Sequence, residues 1–326
     1  TIQNDMIHAI SNTKDDMVSD PEPIHFIGRN RYGYPSQIDN SYFSNLVSVS
    51  CSAFDPFIPP YDQEDPSKGT CYYYIGLKDQ DNPGYHRDIS MLHTDCAKSL
   101  IQCFSNKGKT SRWKNSIEKL NLDINFNSMN LYRLIVIYDS TIARNISNDY
   151  QDLWKIYLEE IRPILNIMSS GHAIVLITIS KLVATVQEKT LIILDEPESH
   201  LHPPLLSAFI RAISDLLLSQ NGVAIIATHS PVVLQEIPKS CVYKIYREGN
   251  NIISERPTIE TFAENVGVLT REVFSFEVEN SGFHDLLINS INEGLSYEQI
   301  LEKYDNHIGN EGRVLIRSII TGRSIG

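Results

Sequence analysis

The chain has 326 residues, 42% hydrophobic and 21% charged, enough for one large α/β domain or two modest ones, and this composition excludes wholesale disorder. A formal net charge of −12 excludes a protein that coats nucleic acid with its whole surface, so any such contact is local or shared with a partner. The apolar stretches 173–186 and 190–194 are too short or too interrupted to span a bilayer, no basic-then-apolar leader opens the sequence, and the five cysteines include no CxxC pair. These features predict a cytoplasmic chain with reduced thiols and no membrane partner.

In chain order, Leu46–Cys51 alternates at strand period and is stopped by the aromatic and proline cluster 54–60; Tyr72–Leu77 is a second β-rich run. Both fall in the first part, 1–87. Residues 93–104 and 112–120 carry helical spacing, and 88–165 is expected to be a mostly helical insertion, with order returning after Pro163. In 166–256, residues 174–186 read as a buried helix, Thr190–Asp195 as a buried strand, Leu205–Leu218 as an amphipathic helix and 222–228 as a second buried strand. Strand, helix, strand with short connections is the unit of a parallel sheet. The last part, 257–326, holds helices at 282–292 and 296–304 and ends in a basic tail, 313–323.

The densest chemistry lies where the strand LIIL (191–194) ends in Asp195 and Glu196. Ligands gather at the carboxyl ends of parallel strands, and successive residues there point to opposite sides, so the two acids can take different roles. In phosphoryl transfer Asp195 would hold the Mg²⁺ shell, and Glu196 would orient or deprotonate the attacking water. The bland alternative is a pair of acids capping the next turn and helix. The neighbouring strand ends in Thr228-His229-Ser230-Pro231, where His229 can donate a hydrogen bond to a γ-phosphate; alone it would be a satisfied turn residue. Upstream, Ser169, Ser170 and Gly171 open the helix that follows them, which makes either an anion site or a simple N-cap. His200 and His202 flank Leu201 like a metal pair, but Pro203 and Pro204 favour a turn role. Arg112, Trp113 and Lys114 suit nucleic-acid contact or the surface of an amphipathic helix.

These segments in this order resemble the ABC-type ATPases. Residues 168–172 fall at the signature loop, 191–196 match the Walker B strand and His229 the switch histidine; DEPESHLHP (195–203) and THSP (228–231) are typical of the SMC-like and overcoming-lysogenization branch. The resemblance implies an ABC-ATPase-like mixed sheet with parallel core strands, ATP and Mg as cofactors, and a homodimer in which Ser169, Ser170 and Gly171 touch the ATP of the opposite subunit. It also calls for a phosphate loop GxxxxGK[S/T], of which the sequence has no complete copy. The nearest segment, Cys103–Thr110, has cysteine in place of the first glycine and reads as a basic turn; the loop is expected just upstream, with 1–10 as the helix that follows it.

A degenerate signature and a long insertion set transport aside, and no acidic set after His229 supports a built-in Toprim nuclease. Residues 47–57, 74–77 and 264–274 look like the Septu-type (PtuA-like) and retron-associated antiphage ATPases. That resemblance implies a partner HNH nuclease and, in the retron-associated relatives, a reverse transcriptase with its noncoding DNA–RNA product. The alternative is an SMC-like DNA-repair or chromosome-maintenance ATPase that clamps DNA itself, although sustained heptads are absent between Asp88 and Pro163.

Overall fold

The computed structural model describes residues 6, 27–29, 35–37, 42–50, 58–82, 84–145, 152–249, 251–278 and 282–323. The chain divides into two units, 1–233 and 234–326. In the first, strands β1 (Ile27–Arg29) and β2 (Pro35–Gln37) form a small antiparallel pair. Strands β3 (Asn45–Ser50), β4 (Cys71–Gly76), β5 (Thr190–Asp195) and β6 (Val223–Ala227) form a four-stranded parallel sheet in the order β4-β3-β5-β6. This is the α/β class with the parallel core that the 190–228 pattern predicts.

Alternation along the strands separates two apolar faces. Val47, Val49, Ile192 and Leu194 point into the main core, whereas Leu46, Tyr72, Tyr74, Leu191 and Ile193 build a second cluster on the other face. Met6 packs against that second cluster and is helical; the rest of the helix expected over 1–10 lies outside the described residues.

The segment 88–165 is helical: α1 (Ile89–Phe104), α2 (Lys107–Leu120), α3 (Ile124–Ser128), α4 (Arg133–Arg144) and α5 (Leu153–Asn166). These helices share the main core with α6 (Ser170–Thr185) and α7 (Pro203–Leu218). Helix α5 runs through Pro163, because Leu158, Ile161, Ile164 and Leu165 are all buried. A single missing N–H costs less than exposing those side chains. Trp113 is no surface residue: it is fully buried, with its indole N–H donating to Ser180 Oγ at 3.1 Å. The Cys103–Thr110 segment is the junction of α1 and α2, with Asn106 capping Gly108 and Lys109. Its glycine and lysine are committed to a helical turn.

After α8 (Pro231–Gln235), the second unit holds an antiparallel hairpin, β7 (Lys244–Glu248) and β8 (Asn251–Glu255), then α9 (Val266–Val278), α10 (Gly282–Asn292), α11 (Tyr297–Lys303) and α12 (Asn310–Arg323). The stretch read as a basic tail is thus a helix, with Ile316 fully buried against Leu287, Ile291 and Ile300. No described helix is long and apolar enough to cross a membrane.

Candidate functional site

The parallel register brings three strand ends together: Ser50 of β3 lies opposite Asp195 of β5, which lies opposite Ala227 of β6. The carboxyl edge of the sheet therefore presents Ser50, Asp195, Glu196 and the turn that carries His229. The Ser50 hydroxyl is buried and has no hydrogen-bond partner among the described residues. A buried hydroxyl beside a carboxylate is a pair of hard oxygen donors of the kind divalent cations take.

Glu196 has a left-handed backbone, φ 44°, while its N–H still donates to the Ala227 carbonyl at 2.9 Å. A non-glycine residue in that region costs about 1 kcal/mol or more and is held by its surroundings. The Glu196 carboxylate Oε1 lies 3.8 Å from His229 Nε2, and both side chains are solvent-accessible. His229 is positioned from behind by Glu198. The Glu198 carboxylate accepts the His229 N–H at 2.7 Å and the Thr228 hydroxyl at 2.8 Å, and Thr228 Oγ1 in turn accepts the Ser230 N–H at 2.9 Å. One carboxylate thereby closes the turn after β6 onto the loop after β5. Glu198 belongs to the DEPESHLHP segment, but nothing in that segment assigns it to hold the turn at His229.

Ser169 is the N-cap of α6, with extended backbone and its hydroxyl accepting the His172 N–H at 3.4 Å. Ser170 is exposed, and Gly171 is buried where a Cβ would lie 2.5 Å from the His200 carbonyl oxygen. Only glycine lets the start of α6 approach the loop after β5 so closely. His200 is also left-handed, φ 70°, and His202 caps α7.

His202 does more than turn the chain. Its Nε2 lies 3.4 Å from Asp123 Oδ2, and His172 Nε2 lies 3.2 Å from Asp123 Oδ1. Asp123 also caps α3 by accepting the Phe126 N–H at 2.8 Å. Burial pushes its carboxyl up, but the Phe126 and His172 hydrogen bonds and the charges of His202 and His172 outweigh it and hold the group below the usual aspartate value. Nothing in the local sequence around Asp123 suggested this role.

Residues 157–235, spanning α5 to α8 with β5 and β6, match the family described as "AAA domain, putative AbiEii toxin, Type IV TA system". The whole chain is also similar to "Protein ea59" of Escherichia phage lambda, 49% identical over 329 aligned positions. It spans 61% of that relative's length. Together with the parallel sheet, the match over 157–235 supports an AAA/ABC-like, nucleotide-binding ATPase core.

Proposed function

We propose that the chain is an ATP-hydrolysing subunit of an ABC-type homodimer that controls a separate HNH-type nuclease in antiphage defence. The observation that carries the ATPase part is the pairing of Glu196 and His229 across 3.8 Å at the carboxyl edge of the parallel sheet, next to Asp195. Asp195 and the buried Ser50 hydroxyl would hold Mg²⁺; hard oxygen donors of this kind suit that ion, which neutralises phosphate charge when bound. Glu196 takes the proton of the attacking water. His229, with its main chain fixed by Glu198, donates to the γ-phosphate. Ser169, Ser170 and Gly171 present the amino end of α6 to the ATP of the partner subunit. The nuclease-control part rests on the resemblance of 74–77 and 264–274 to the Septu-type ATPases, together with that of 47–57, of which 51–57 lie outside the described residues. In the retron-like form of this reading, a reverse transcriptase and its DNA–RNA product join the complex.

Glu196→Gln tests the chemistry. The amide keeps shape but cannot take the proton, so ATP binding measured by fluorescence should persist while hydrolysis falls at least about 100-fold. Unchanged turnover removes Glu196 from the role of base. Co-purification of an HNH protein encoded beside this chain tests the partner.

A further inference from the structure

We propose that Asp123, His172 and His202 form a binding site for one divalent cation of the zinc class, pinning the starts of α6 and α7 to the turn before α3. This site does not depend on the ATPase reading. The three ligand atoms lie within 4.8 Å of one another, with His172 Nε2 3.2 Å from one Asp123 oxygen and His202 Nε2 3.4 Å from the other. Tetrahedral zinc with bonds of about 2.0–2.1 Å sets its ligand atoms about 3.3 Å apart, so one Asp123 oxygen and the two Nε2 atoms would draw together from a spread of at most 4.8 Å. The donor set is two imidazoles and one carboxylate without thiolate, which suits zinc and its borderline neighbours better than magnesium.

The surroundings are those of a supported metal site. Asp123 and His172 are buried, at 5% and 7% exposure, while the His202 side chain is 42% exposed, which leaves an approach from solvent and a position for a water ligand. His172 Nδ1 lies 2.5 Å from Ser169 Oγ, so with metal on Nε2 the ring proton sits on Nδ1 and is donated to that hydroxyl. His202 gives up only a 3.4 Å contact between its Nδ1 and the Leu205 N–H. The Phe126 N–H orients the carboxylate.

The experiment uses the full chain without nucleotide, stripped with chelator and desalted, and then titrated with Zn²⁺ alone against a chromophoric competitor. The expected result is about one tightly bound equivalent, and Co²⁺ in its place should give the strong visible bands of a four-coordinate ion. His202→Asn removes the imidazole but keeps a good helix cap, so it should fold normally and bind Zn²⁺ at least about 100-fold more weakly. Zinc binding well below one equivalent in the parent overturns the site. Equal affinity in the parent and in folded His202→Asn protein also overturns it, since the metal would then sit on other groups, and the three residues would be a hydrogen-bonded latch only.

Discussion

At the residue scale, the site depends on backbone conformations that side-chain chemistry alone would not choose. Glu196 and His200 both adopt left-handed geometry within a few residues, and the cost is carried by fixed contacts: the Glu196 N–H on Ala227 and the amino end of α6 against the His200 carbonyl. Gly171 is the residue that permits the second contact. A methyl group added there meets the His200 backbone oxygen at 2.5 Å, and backbone on both sides must shift to admit it. Gly171→Ala should therefore lower stability by about 1–3 kcal/mol, read as a drop in the thermal midpoint of the metal-free protein. An unchanged midpoint would mean that α6 and the loop after β5 are not in this contact.

At the element scale, the second unit shows how a partly buried ion pair organises polar sequence. Lys244 of β7 bonds Glu255 of β8 at 2.9 Å and Glu272 of α9 at 3.3 Å, while Glu272 also accepts the Thr258 N–H at 2.6 Å and the Thr258 hydroxyl at 2.9 Å. Burial pushes the Glu272 carboxyl up, but the Thr258 hydrogen bonds and Lys244 outweigh it and hold the group below the usual glutamate value of 4.5. A carboxylate depressed in the folded state adds stability above its unfolded value and loses it as pH falls through the folded one. Glu272→Gln should thus cost about 1–2 kcal/mol at neutral pH and much less in acid, where the parent carboxyl is protonated as well. Urea midpoints of parent and variant, measured from neutral pH downward, should converge; a constant gap would place the effect in packing. Periodicity alone announced α10 and α11, whereas α12 was hidden because its basic residues dominate a short amphipathic pattern around Ile316. Trp113 was misjudged for a related reason: flanking Arg112 and Lys114 suggest a surface, but the indole points inward to Ser180.

At the scale of the whole molecule, the proposed function requires a second copy, because the α6 start is assigned to ATP on the opposite subunit. Ser169 is unsuited to a blocking substitution, since it caps α6 and holds His172, and losing that cap would cost about 1 kcal/mol. Ser170 is exposed and makes neither contact, so Ser170→Arg should leave the fold intact and obstruct only the approach to the partner's phosphate. Homodimers of Ser170→Arg and of Glu196→Gln should each be nearly inactive. An equal mixture should recover about one quarter of parental hydrolysis, because half of the dimers are mixed and each mixed dimer has one intact composite site of two. No recovery, with mixed dimers shown by native mass measurement, would refute action in trans.

The local elements around the candidate site were legible in the sequence. The buried strand ending at Asp195 and Glu196, the capped helix opening at Ser169, and the turn at His229 are each written in a few contiguous residues, because strand period, capping and strand-end acids are short-range signals. What the tertiary structure alone decided are the juxtapositions across the chain: Ser50 beside Asp195 through strand register, Glu198 holding His229, and Asp123 facing His172 and His202. Their partners lie tens of residues apart, and no periodicity encodes them. They arise only when the parallel sheet fixes which strand ends are neighbours and the shared core fixes where the helices start.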